Sequence, residues 1–292
     1  MTNKLGVHGL VFTDDWSETN AKAAIDAAAR IGFDLIEVLI FDPAATDPKL
    51  IKRLAQDAGI DVAVGMALSR EADMSSVDAA VAGKAEETVE RCLEISAEIG
   101  APALSGLVYA GLGRYTAPPT EMQRKLVSER LAGLDRKAMA KGLKLGLEAI
   151  NRYETNMANT LDEAGDIIRA VGSKNMFIHL DTYHMNIEES DIAGAILRNR
   201  ALIGYAHLAD NHRGVLGTGT FDFTTLFRTL AHIGYAGAYT VESFSPAALS
   251  ADTAGAISLW RRSWDSADAA AAAALAFMRV NLEAARSAQA VW

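Results

Sequence analysis

The feature that most constrains this chain is a junction repeated six times: a stretch of helical composition ends in glycine, and an aliphatic or β-branched run begins at once. The junctions are IGFDLIEVLI at Gly32, AGIDVAVGMA at Gly59, IGAPALSGLV at Gly100, KGLKLGLEAI at Gly142, VGSKNMFIHLD at Gly172 and IGYAGAYTVES at Gly234. Glycine just past a helix supplies the left-handed conformation that turns the chain back towards a strand. An opening run, LGVHGLVF, and a further one, ALIGYAHLAD, bring the expected strands to eight. Between them, residues 17–31, 48–58, 76–99, 119–141, 159–171, 188–199, 221–233 and roughly 264–286 show helical spacing and composition.

Eight strands alternating with helices is the count of an α/β protein of the (β/α)₈ TIM-barrel type. The strand runs are almost wholly apolar, as parallel strands covered on both faces must be. A doubly wound open sheet also alternates β and α, but it gathers its site at one switch point, whereas here polar residues stand at four consecutive strand ends. No linker rich in Pro, Gly or Ser divides the 292 residues, so residues 1–292 read as one domain. It closes with an alanine-rich helix over about 264–286, begun by Ser266 or Asp268 as cap.

The formal charge of −9 and pI near 5.2 disfavour nucleic acid, because affinity for a phosphate backbone comes from Lys and Arg displacing counterions. A small polar molecule is the better partner. The apolar run Ala269 to Ala274, continuing into LAF, is far shorter than the roughly 20 residues a bilayer requires, so no membrane partner is expected. One cysteine, Cys92, permits no intrachain disulfide and no thiolate cluster. The amino-terminal segment lacks the layout of a secretion signal, and a reducing cytoplasm is the expected setting.

Glu148, Asp181, His207 and Glu242 each end one of four successive apolar runs, 33, 26 and 35 residues apart. About 30 residues make one βαβ step, so the four converge on the barrel rim where such folds do chemistry. Taken singly, each reads as a solvated loop residue or a helix cap; four in register read as a cage. Three carboxylates and one imidazole suit a hard or borderline divalent ion, leaning to Mn²⁺ or Mg²⁺, with Co²⁺ or Zn²⁺ able to occupy the same cage. Glu148 and Glu242, three steps apart in a ring of eight, are expected to face one another with the other two between them. Two such carboxylates can take a proton from one face of a substrate and return one to the other. A second polar tier, Glu154, His184 and Arg213, follows in the loops above. His179 lies on the same strand face as Asp181 and reads either as its orienting partner or as a packed interior histidine.

The segments GLEAINRYETN (146–156), HLDTYHMNIEE (179–189), AHLADNHRGVLGTGTFDF (206–223) and YTVESF (239–244) resemble the D-tagatose 3-epimerase family of ketose 3-epimerases, which includes enzymes named for D-psicose (D-allulose) and L-ribulose. The likeness runs over nearly the whole chain and implies a TIM barrel of the sugar isomerase/epimerase type. It also implies a Mn²⁺-type ion held by Glu148, Asp181, His207 and Glu242, with Co²⁺ or Mg²⁺ as substitutes. Glu148 and Glu242 double as the acid/base pair around a cis-enediolate, while Glu154, His184 and Arg213 hold the O1 to O3 end of a free ketose. His8, Trp16, Gly65 with Met66, Phe244 and the loop from Tyr109 to Tyr115 would shape the fit around C4 to C6. Members are homodimers or homotetramers, for which Trp260, Trp264 and Trp292 are candidate contacts. The alternatives are an aldose–ketose isomerase of the same fold, an abasic-site endonuclease, which would need more ligands and a basic groove, and a non-catalytic sugar-binding barrel.

Overall fold

The computed structural model describes residues 3–289. Eight parallel strands, β1 (Leu5–His8), β2 (Leu35–Ile40), β3 (Asp61–Leu68), β4 (Ala103–Gly111), β5 (Lys144–Glu148), β6 (Met176–Asp181), β7 (Ile203–Leu208) and β8 (Tyr239–Val241), pair in chain order, and β8 returns to β1 to close a barrel. Outside it run α1 (Glu18–Ile31), α2 (Pro48–Ala58), α3 (Ala79–Ile99), α4 (Glu121–Ala140), α5 (Leu161–Val171), α6 (Thr182–Glu188), α7 (Ile192–Arg198), α8 (Phe223–His232), α9 (Ala251–Ala256) and α10 (Ala267–Gln289). Each strand expected from the sequence is present. The six junction glycines all take positive φ, between 67° and 101°, the turn-back geometry their position required.

Two details of the helices depart from expectation. The helix expected over 188–199 is present as the shorter α7, capped by Asp191, and an unexpected helix, α6, precedes it because Asp181 caps a turn directly off β6. Helix α9, capped by Ser250, sits in the segment after β8, where no helical period announces it. Helix α10 is opened by Ser266, whose hydroxyl accepts the Ala269 N–H at 3.2 Å, while Asp268 reaches across to Arg30 at 2.6 Å. Trp264, a candidate for subunit contact, is buried and donates its indole N–H to Ser243, so it helps close the barrel. Trp260 is 76 % exposed, and Trp292 lies outside the described residues.

The apolar strand runs follow from burial on both faces. Outward positions such as Ile36, Leu104, Leu147, Ile178 and Ala206 join Ile25, Val89, Leu131 and Leu226 of the helices in one continuous buried core. Alternate residues point into the barrel. There the lower layer is apolar: the ring of Phe177 occupies the room left by Gly146 on β5 and Gly204 on β7. Above it, interior positions turn polar and stay buried, with His8, Glu37, His179, Tyr205 and Thr240 among them. Among the described residues, no helix is long and apolar enough to cross a membrane.

A Cβ at Gly146 would stand 2.5 Å from the Phe177 ring and 2.6 Å from the Ser105 Cβ. Gly146→Ala is therefore expected to destabilise the fold by about 1–3 kcal/mol, as overpacking of a filled interior does, read from chemical denaturation against wild type.

Candidate active site

The strand order β5–β6–β7–β8 delivers Glu148, Asp181, His207 and Glu242 side by side at the carboxyl ends of the strands. Asp181 and His207 register directly with one another, and Glu242 follows the last residue of β8 with its N–H on the Leu208 carbonyl. Ligand atoms of Asp181, His207 and Glu242 all lie within 4.8 Å of one another. Glu148 joins the cluster twice, once with Asp181 and His184 and once with His179 and His207. Asp181 and His207 thus stand close to both glutamates.

Local chemistry explains how Asp181 is held. Its Oδ1 caps α6 by accepting the Tyr183 N–H at 2.7 Å, which leaves Oδ2 buried with no hydrogen-bond partner. His207 shows the same division of labour. Its Nε2 pairs with Glu37 at 2.6 Å, whereas Nδ1 faces Glu242 at 3.0 Å without hydrogen-bond geometry. Two buried atoms aimed into one acidic cluster, Asp181 Oδ2 and, once its proton is released, His207 Nδ1, are the donors a cation would find.

The charges are unevenly distributed. Burial resists ionisation of Glu242, but Arg213, whose Nη1 donates to Oε2 at 2.5 Å, and then His207 outweigh it and hold the carboxyl well below the usual range. Burial pushes Glu148 well above that range, with His207 opposing and the Asp181 and Glu242 carboxylates adding to it. Burial and then Glu242 push Asp181 up to about 7. Burial likewise opposes the imidazolium of His207, yet Glu37 and Glu242 on either side raise its pKa well above the ordinary value.

The second tier assembles around the same cluster. His184 on α6 accepts the Asn151 N–H at Nδ1, which leaves its proton on Nε2, 3.6 Å from Glu148 and 3.7 Å from Asp181. Burial and then Arg213 keep that imidazole neutral. Glu154 accepts from the Asn151 side chain at 2.9 Å. Arg213 stacks its guanidinium 4.0 Å above the Tyr183 ring and adopts φ 53°, a left-handed backbone rare for a non-glycine residue. The fully buried Asp210 holds that turn by accepting the N–H groups of Gly217 at 2.8 Å and Gly219 at 3.0 Å.

The remaining candidates are placed as follows. His8 stands 3.7 Å from Glu242, its ring edge-on to His207 and Phe244. Gly65 lies against Glu37, and Trp16 packs over Gly9 with its indole N–H buried and unpartnered. Tyr109 is not a loop residue. It lies within β4, fully buried, and its hydroxyl donates to the Glu148 carbonyl at 2.6 Å, so it supports the strand end and does not line a pocket around a sugar. His179 does not orient Asp181: neither of its nitrogens has a hydrogen-bond partner, and its ring packs 4.0 Å from His207 and 4.7 Å from Tyr205.

Three contributors escape a search for polar residues at strand ends. Glu37 sits inside a strand, and its signal is a lone carboxylate in the otherwise apolar LIEVLI. Asn151 joins Glu154 to His184. Glu188 is forked onto Arg152, at 2.7 Å to Nη2 and 3.0 Å to Nε, and ties the loop after β5 to α6.

A model of the xylose isomerase-like TIM barrel matches residues 25–280. L-ribulose 3-epimerase of Methylomonas sp. (strain DH-1) is 37% identical over 274 residues, 94% of this chain and 96% of that protein. The chain belongs to the ketose 3-epimerase family. Membership makes it an isomerase-class enzyme. The ketose 3-epimerase of Arthrobacter globiformis is 36% identical over 281 residues, covering 96% of this chain and 97% of its own. Among solved structures, a D-allulose 3-epimerase from Methylomonas sp. in complex with D-allulose superposes with a TM-score of 0.93 at 36% identity, covering 96% of this chain and 97% of that one.

Asp210→Ala removes the acceptor that holds two glycine N–H groups, and the turn carrying Arg213 should loosen. Native-state trypsin is expected to cut after Arg213 faster in the variant than in wild type, read by mass spectrometry of timed digests.

Proposed function

We propose that this protein epimerises free ketoses at C3, with Glu148 and Glu242 as the acid/base pair. In this reading Glu148, Asp181, His207 and Glu242 hold a divalent ion, Mn²⁺ for preference, with Co²⁺ or Mg²⁺ as substitutes. The observation that carries it is the pair of orphaned buried atoms, Asp181 Oδ2 and His207 Nδ1, set between two glutamates in a closely packed acidic cluster. Oxygen-rich donors with one imidazole fit a hard or borderline ion. The Methylomonas structure with D-allulose and the relatives named for L-ribulose support a ketose as the substrate class. A homodimer or homotetramer is part of the same proposal, supported by the exposed Trp260, and so is a cytoplasmic setting, supported by the single buried cysteine.

The reaction asks little of the protein beyond placement. The C3–H of a ketose is weakly acidic because its electron pair delocalises onto the C2 carbonyl. When bound, a divalent ion supplies Lewis-acid polarisation of the sugar oxygens at C2 and C3. One glutamate takes the C3 proton as the pair moves into the enediolate, and the other returns a proton to C3 from the opposite face. Arg213, donating to Glu242, keeps that carboxylate aligned and ionised. His184 with its proton on Nε2, Glu154 and Arg213 are the donors and acceptors for O1 to O3, and the burial of Asp181, His207 and Glu242 restricts the access of water to the transfer.

In D₂O with Mn²⁺ and a panel of D-tagatose, D-fructose, D-psicose and L-ribulose, deuterium is expected at C3 of the product. An aldose labelled at C1–C2 would instead establish the isomerase. Glu242→Gln should abolish epimerisation, a loss of at least about 10²-fold as for a proton-transfer group, while the melting temperature stays close to wild type. A non-catalytic barrel would show no such turnover in either protein. Adding Mn²⁺ at 100 times its dissociation constant should stabilise the fold by about 2.7 kcal/mol, seen as a rise in melting temperature that EDTA reverses.

A further inference from the structure

We infer that Glu37, a residue of β2 remote from the rim-forming strand ends, is the positioning residue for His207: its carboxylate fixes the imidazole so that Nδ1 faces the acidic cluster. The inference rests on the divalent-ion reading above. Strands β2 and β7 are not neighbours in the barrel, so the 2.6 Å contact between Glu37 Oε2 and His207 Nε2 crosses the interior. A carboxylate only accepts, which keeps a proton on Nε2 and makes Nδ1, turned towards Asp181 and Glu242, the nitrogen that gives up its proton when a cation is bound.

The surroundings show that this carboxylate is built in. Glu37 is 1 % exposed, and an ionised group at that depth stands only with close partners. Tyr205 donates its hydroxyl to the same Oε2 at 2.5 Å and is paired in turn with Thr240 at 2.6 Å. Since the tyrosine proton is committed to Glu37, Thr240 is the donor of that second bond. The chain of donors therefore runs from Thr240 through Tyr205 to Glu37, and His207 meets it from the other side. The other face of the carboxylate is accommodated by Gly65, where a Cβ would stand 2.5 Å from Oε1. Around His207, the rings of His179, Tyr205 and His8 lie at 4.0, 5.2 and 5.6 Å. These packed rings restrict the imidazole without distinguishing its two nitrogens, and Glu37 is the group that does so.

The test is titration of the metal-stripped protein with Mn²⁺ alone, by calorimetry and by melting temperature, in wild type, Glu37→Gln and Gly65→Ala. The expected result for Glu37→Gln is a dissociation constant raised about 10- to 100-fold, the usual cost of losing a ligand's outer partner. Gly65→Ala, which displaces the carboxylate without touching His207, should weaken binding in the same direction. A purely structural role would lower the melting temperature of the stripped protein yet leave the dissociation constant and the Mn²⁺-induced shift as in wild type, and that result overturns the inference. Should Glu37→Gln fail to fold, Gly65→Ala decides alone, an unchanged constant counting against the proposal. If wild type binds Mn²⁺ and the variants bind it equally, only the role of Glu37 falls. If wild type binds none, the divalent-ion reading falls and takes this inference with it.

Discussion

Four carboxylates, those of Glu148, Asp181 and Glu242 at the mouth of one barrel and of Glu37 just inside it, are drawn out of water, with a single guanidinium and a single titratable cationic imidazole among them. Removing a charge from water costs several kcal/mol unless partners repay it. Almost every polar feature of the interior answers that cost. Arg213 neutralises Glu242, His207 is squeezed between Glu37 and Glu242, and Glu148, lacking a cationic partner of its own, is driven towards its protonated form. A site that concentrates negative charge and leaves buried ligand atoms without hydrogen-bond partners is one that a cation completes.

The scaffold spends its hydrogen bonds on holding this cluster still. Asp181 caps a helix with one oxygen and keeps the other for the site. Tyr109 steadies the backbone of Glu148, Asn151 fixes the tautomer of His184, and Asp210 gathers the glycine-rich turn that holds Arg213 in its left-handed conformation. Glycine allows the close approaches. Phe177 fills the barrel floor because Gly146 and Gly204 leave room, and Glu37 fits because Gly65 does. The apolar outer shell and the polar interior are therefore separate layers of the same strands, distinguished by which way alternate residues point.

Family membership and geometry carry different weights. A TIM barrel hosts many chemistries, and the fold alone would leave the activity open. What narrows it is the coincidence of a chain related along nearly its full length to ketose 3-epimerases with a pair of glutamates lying across a shared Asp–His core. The two glutamates have opposite leanings, one stabilised as an anion and one as a neutral acid. That asymmetry arises from their neighbours, Arg213 being on one side only.

The sequence by itself determined the eight strands, the glycine-ended helices and the strand-end placement of Glu148, Asp181, His207 and Glu242. These follow from local periodicity and from the fixed spacing of βα units, which need no knowledge of distant contacts. The separate helix α6 ahead of α7 and the place of Tyr109 inside β4 were less legible, since a short capped helix and the length of a strand leave little trace in the hydrophobic pattern. Only the tertiary structure decided that Glu37 reaches His207 across the barrel, that His179 packs without hydrogen bonds, and that Gly65 makes space for a carboxylate. Those contacts join residues as many as 170 positions apart along the chain, and closure of the barrel alone sets which interior side chains meet.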